Sequence, residues 1–224
     1  MAALTDLQRR ILTDVLAVGS AYPLVLTGDC AAQAHGLVEH LSQDLDVATE
    51  NPEDMARIGA TVRTGLEERG WQVRVLETDP LSAQLIVTDP ESGDECEVDV
   101  LKEVMWRPPV QTEYGPALSL EDVVGTRVWA LADRGLARDL IDVRAAADRW
   151  THPELEELGR RHARDTFDLT DLQARLSGAD LMDDREFAAY GLDAGAIAEL
   201  RRWAQVWADD IAERLLEGEP PEDE

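Results

Sequence analysis

The apolar positions change their period part-way along the chain. Leu4, Leu7, Ile11, Leu12, Val15 and Leu16 recur at helical spacing, with Thr5 or Asp6 placed to cap that helix. Residues 23–27 (PLVLT) form a short apolar run ending at Gly28, the pattern of a buried strand, and 29–38 predict a short helix. Alternation at 43–49 (QDLDVAT) predicts a strand, and an amphipathic helix over 53–69 stops at Gly70. Strands follow over 71–77, 82–88 and 95–102, the last two joined by DPESGD at 89–94, which is hairpin-turn chemistry. The segment 106–117 (WRPPVQTEYGPA), rich in Pro and Gly, predicts a loop. Everything after Ser119 has helical spacing, over 119–133, 136–150, 153–165, 168–177, 183–190 and 193–216. The fold class is α+β: a mixed β-sheet flanked by helices over 1–115, a helical bundle over 116–216, and an acidic tail, 217–224, that reads as disordered. No internal repeat is visible.

Composition sharpens this division. Of 224 residues 44% are hydrophobic, enough for a buried core, and the net charge is −26. Such acidity opposes broad binding to nucleic acid or to an anionic membrane, although a phosphorylated ligand carried on bound metal is not excluded. The charge is uneven: residues 217–224 hold five acids and no base, whereas 127–164 hold eight Arg against seven acids. The two cysteines, Cys30 and Cys96, are too few for a disulfide scaffold and are not spaced as metal ligands. The N-terminus carries acids and arginines inside its apolar pattern, unlike a signal peptide, and no apolar run approaches the ~20 residues that span a bilayer. The expectation is a soluble cytoplasmic protein with no membrane partner. Lys102 is the single lysine among 21 basic residues, which reads as codon bias.

The chemistry is carried by acids on strands. Residues i and i+2 share a face, so Asp44 and Asp46 project together while Leu45 and Val47 enter the core. Paired carboxylates repel unless a cation lies between them, and Mg²⁺ favours a few carboxylates plus substrate phosphates. Asp99 lies in the strand ECEVDVLK between inward Val98 and Val100; if the two strands are neighbours, Asp44, Asp46 and Asp99 converge as a metal site for phosphoryl or nucleotidyl transfer. Taken alone, D-x-D on a strand of an acidic protein is more simply a solvated face. The strand ending at Gly28 and running into a helix, 15 residues before the D-x-D, adds backbone N–H groups where phosphate binds.

The segment LTGDCAAQAHGL…HLSQDLDVAT resembles the nucleotidyltransferase signature of the DNA-polymerase-β-like superfamily, and within it the AbiEii/AbiGii toxin family, roughly L-x-G-G-x-A-x-x-x-H…R-x-S-x-D-[LI]-D. LSLEDVVGTRVWALADRGLARDLIDV resembles that family's later helix pair, and the likeness covers about residues 22–150. It implies a nucleotidyltransferase-type sheet, and an enzyme moving a nucleoside monophosphate from a nucleoside triphosphate to a hydroxyl. It implies Mg²⁺ (or Mn²⁺) on Asp44, Asp46 and Asp99, nucleotide contacts from Thr27, Gly28, Asp29, Ser42, Arg127 and Arg134, and catalytic roles for Arg127 and Asp139. It further implies a toxin with a cognate antitoxin and a tRNA acceptor. Three positions depart from the pattern. Asp29 replaces the second Gly and reads as the N-cap of the 29–38 helix, His40 replaces the Arg before S-x-D-x-D, and Arg127 replaces a Lys, keeping its charge without its proton chemistry.

In the helical half, Arg127 lies on the stripe of Leu120, Val123, Val124, Val128 and Leu131, and Asp139 flanks the stripe of Leu136, Leu140, Val143, Ala147 and Trp150. Charge on such a stripe is costly unless paired or functional. Two readings stand on the residues alone: an internal Arg127–Asp139 or Arg134–Asp139 ion pair, or a phosphate contact at Arg127 with Asp139 as base for the acceptor hydroxyl. His35 and His40 read as local hydrogen-bonding residues, Cys30 as packing, the six Trp mainly as core, and Arg160, Arg161 and Arg164 as a solvated helix face. Two other functions fit the same fold. One is transfer to a small hydroxyl compound of the antibiotic type, which the charge favours; the other is a catalytically degenerate nucleotide-binding protein.

Overall fold

The computed structural model describes residues 4–38, 42, 44–163 and 167–218. His40, Arg164 and the tail beyond 218 lie outside the described residues. By contacts the chain divides into two compact units, Met1–Val123 and Val124–Glu224.

The first unit is built on a seven-stranded mixed sheet. Its strands are β1 (Val25–Leu26), β2 (Leu45–Thr49), β3 (Gln72–Thr78), β4 (Ser82–Thr88), β5 (Glu95–Lys102), β6 (Val110–Thr112) and β7 (Gly115–Ala117), in the spatial order β3-β4-β5-β2-β1-β7-β6. β2 runs parallel to β5 and β1 parallel to β7; the other neighbours are antiparallel. Alternation explains the central strands: Leu45, Val47, Val98 and Val100 are fully buried, while Asp46 and Asp99 between them are only half-buried. Three helices belong to this unit, α1 (Asp6–Val18), α2 (Gly28–Ala34) and α3 (Met55–Glu67). Thr5 caps α1 in a reciprocal box with Gln8, and Ile11, Leu12 and Val15 are the buried stripe. α3 buries Met55, Ile58, Val62 and Leu66 and ends before Gly70, whose φ of +94° a side chain would strain. Lys102 is no idle residue: its Nζ donates to the carbonyls of Asn51 and Glu53, pinning the segment that leads into α3.

The expected loop 106–117 is where the sequence misleads. It holds β6 and β7, a hairpin whose inner strand joins the sheet through Ala117 opposite Leu26. Strands of three residues carrying Pro116 have too few alternating positions to register as a period. The hairpin keeps the chain in the sheet past residue 115, and the first unit ends at Val123, inside α4 (Leu120–Asp133).

The second unit is helical: the rest of α4, α5 (Ala137–Ala146), α6 (His152–His162), α7 (Leu169–Ser177), α8 (Asp184–Ala188) and α9 (Ala194–Gly218). Its core is apolar stripes from each helix, among them Val128, Leu140, Leu155, Leu172, Phe187 and Trp207. Leu136, expected on the buried stripe of α5, precedes that helix and is exposed. Among the described residues no helix is long and apolar enough to cross a membrane.

Candidate active site

β2 and β5 are neighbours, and their register sets Asp46 directly opposite Asp99, flanked by the Leu45–Val98 and Val47–Val100 pairs. Asp44, immediately before β2, is exposed. The Oδ1 of Asp99 is buried with no hydrogen-bond partner among the described residues. Burial first, then the negative charges of Glu97 and Asp44, pushes the Asp99 carboxyl up to about 6. Among the described residues no three His, Cys, Asp or Glu side chains are gathered closely enough to form a metal cage as they stand.

This electrostatic cost has a measurable sign. The folded carboxyl holds its proton to higher pH than the unfolded one, so stability falls as pH rises from about 4 through about 6. Asp99→Asn removes the cost. With half of the group still near solvent we expect a gain of about 1 kcal/mol at pH 7.5, and less at pH 5. Urea unfolding at both pH values checks this; an equal or absent gain would contradict it.

The turn between β1 and α2 lies against the same carboxylates. Gly28 has φ +55°, and a Cβ there would fall 2.1 Å from Oδ2 of Asp46. Only glycine lets the backbone come this close in this conformation. Thr27 is the N-cap of α2, its N–H donates to the Asp46 carbonyl at 3.0 Å, and it is buried. Asp29 therefore is not the N-cap but a buried residue of the first turn. The Oγ1 of Thr27 donates to Oε2 of Glu103 at 2.8 Å. Glu103 carried no sequence signal, being one of 47 acids just beyond a strand.

Other expected residues do local work. The Ser42 hydroxyl donates to the Asp44 carbonyl at 2.7 Å, and its own carbonyl accepts from Nε2 of Gln8 at 2.9 Å. Ser42 thus shapes the backbone leading into Asp44. The Cys30 thiol donates to the same Asp44 carbonyl at 3.3 Å, and burial pushes it up to about 11, which keeps it protonated and non-nucleophilic near neutral pH. His35 Nε2 is 2.7 Å from the Leu118 carbonyl.

The charges of the second unit form ion pairs inside it. Arg134 grips Asp139 with both prongs, at 2.9 and 2.7 Å, and the Leu136 N–H adds a third bond at 3.1 Å. Asp139 is 0% exposed, and its oxygens accept from Arg134 and from the start of α5. Arg127, also buried, lies 3.4 Å from Asp142, which Arg138 approaches at 3.9 Å. Of the expected pairs, Arg134–Asp139 is present, whereas Arg127 turns to Asp142. Arg160 and Arg161 pair with Glu157 at 2.7 and 3.2 Å on a solvated face.

Known proteins agree with the fold and name the chemistry. A family model described as the nucleotidyl transferase AbiEii toxin of a type IV toxin–antitoxin system matches residues 10–220. The chain belongs to the AbiEii nucleotidyltransferase toxin family. It is a nucleotidyltransferase, as the signature around Gly28 and Asp46 led us to expect. Among solved structures it is similar to JHP933 from Helicobacter pylori, 15% identical with a TM-score of 0.57 over 96% of this chain and 97% of that one. It is also similar to MenT4, the nucleotidyltransferase toxin Rv2826c of Mycobacterium tuberculosis H37Rv, 17% identical with a TM-score of 0.61 over 92% of this chain and 82% of that one. A search of curated proteins finds no match. The family match extends past residue 150, beyond the stretch of about 22–150 over which the signature segments resemble the family.

Proposed function

We propose that this nucleotidyltransferase works with a divalent cation, Mg²⁺ or Mn²⁺, held by Asp46 and Asp99 with Asp44, and moves a nucleoside monophosphate to a hydroxyl with release of pyrophosphate. The observation that carries the reading is the buried Oδ1 of Asp99, without a hydrogen-bond partner among the described residues, on the strand position opposite Asp46. A hard cation is the natural partner for such oxygens, and the donor set suits one. Neutralising the triphosphate and lowering the pKa of the attacking hydroxyl is the chemistry such an ion supplies when bound. The protein's own part is positional. Gly28 keeps the backbone of the turn against Asp46, Thr27 ties that turn to β2, and the apolar pairs beside Asp46 and Asp99 hold both carboxylates at fixed spacing.

For the acceptor we favour tRNA, in keeping with a toxin, and a cognate antitoxin protein as partner. The net charge of −26 favours a second reading, in which a small hydroxyl compound accepts the nucleotide. Incubation of the protein with each labelled nucleoside triphosphate, Mg²⁺ or Mn²⁺, and either total tRNA or a panel of small hydroxyl compounds separates them. Label on tRNA is the expected result. Label confined to a small compound would replace the tRNA reading, and no transfer or pyrophosphate under any of these conditions would sink both.

A further inference from the structure

Residues 103–107 (EVMWR) leave the end of β5 and cross toward the start of α4, and backbone contacts pin nearly every step. The Glu103 N–H donates to the Thr49 carbonyl at 3.3 Å while its carboxylate takes the Thr27 hydroxyl. The Met105 N–H donates to Oε1 of Glu50 at 2.7 Å. The N–H groups of Trp106 and Arg107 donate to the two oxygens of Asp122, at 3.2 and 3.0 Å, and Ser119 Oγ donates to the same buried carboxylate at 3.0 Å. Pro108 and Pro109 stiffen the run into β6.

On this fixed backbone Trp106 is 54% exposed and Val104 60% exposed. The other five tryptophans are buried or half-buried. Ordering this backbone costs conformational entropy. A rigidly presented aromatic face beside an exposed Arg is, however, what a nucleobase stacks on, with the guanidinium available to a phosphate. The place suits it: three residues span at most about 11 Å, so Trp106 lies within that reach of Glu103, which touches the Thr27–Gly28 turn beside Asp46.

We propose that Trp106 is a stacking platform for a nucleobase, with Arg107 as its phosphate contact. This rests on the nucleotidyl-transfer reading of the adjacent carboxylates. The base belongs either to the incoming nucleoside triphosphate or to the end of a nucleic-acid acceptor.

Equilibrium binding to the full chain tests it without turnover. The probes are the four nucleoside triphosphates, a short single-stranded RNA, and inorganic tripolyphosphate, which has no base. Trp106→Ala is expected to weaken base-containing ligands about 5- to 100-fold and to leave tripolyphosphate unchanged, while Trp106→Phe keeps most of the affinity. Loss confined to the triphosphates assigns the base to the donor; loss confined to RNA assigns it to the acceptor. Unchanged affinity for every ligand, or equal loss of tripolyphosphate, would overturn the platform. If Trp106→Ala binds normally while the wild type still transfers label, the platform fails and the reading of the carboxylates stands. If binding depends on Trp106 but the chain transfers no label, the platform stands and the reading of the carboxylates fails.

Discussion

Asp46→Asn is expected to lower nucleotidyl transfer by about 10³-fold or more, the scale seen when a group acting on transition-state charge is removed. The substitution keeps the volume of a half-buried side chain and leaves Leu45 and Val47 in the core, so thermal unfolding should move little. Asp46 is exacting because two independent constraints meet at it, Asp99 across the parallel ladder and Gly28 against its carboxylate. Gly28→Ala should therefore mimic the loss of Asp46 without touching a charge. Its Cβ would arrive 2.1 Å from Oδ2 of Asp46, at a φ of +55° that costs an alanine about 1–2 kcal/mol. Steady-state transfer of labelled nucleotide, with circular dichroism as a control, reads both variants. An Asp46→Asn protein within tenfold of wild-type activity would remove the carboxylate pair from the mechanism.

The largest effect on stability is expected at Glu156, in the second unit. This carboxylate is buried on α6 and accepts from the indole N–H of Trp207 at 2.9 Å and from Arg214 at 2.9 and 2.6 Å, both on α9. Glu156→Ala strands an indole N–H in a fully buried tryptophan and removes the main partner of a guanidinium. Breaking a buried pair from one side costs about 3–5 kcal/mol. We expect the lower end, about 3 kcal/mol, because Arg214 is a third exposed and keeps Asp210 at 3.0 Å. Glu156→Gln retains an acceptor for Trp207 and should cost about half as much. Urea unfolding followed by tryptophan fluorescence measures both. A loss below 1 kcal/mol for the alanine variant would show that water readily replaces the network.

Several features of this enzyme are legible in its residues alone. Periodicity places the central strands and all six helical segments after Ser119, because each buries one face and its apolar residues must recur at the period of the backbone. The signature around Asp44 and Asp46 identifies the family that the match over residues 10–220 shows. β6 and β7 are invisible because three-residue strands are specified by their neighbours in the sheet rather than by their own pattern. The N-cap of α2 is misplaced by two residues: Asp29 looks the better cap, but the chain turns at Gly28 and places Thr27 there.

By itself, then, the sequence determined the α+β class, the family and the acids on which the chemistry is proposed to rest, since these depend on local period and short motifs. Only the tertiary structure decided who meets whom. It set Asp99 opposite Asp46, brought Glu103 across 76 residues to Thr27, and chose Asp142 rather than Asp139 for Arg127. It also left Trp106 facing solvent on a pinned loop. The physical reason is common to all four. Partner choice between charges and exposure of a ring depend on distances between segments remote in sequence, which strand register and helix packing settle and no local pattern encodes.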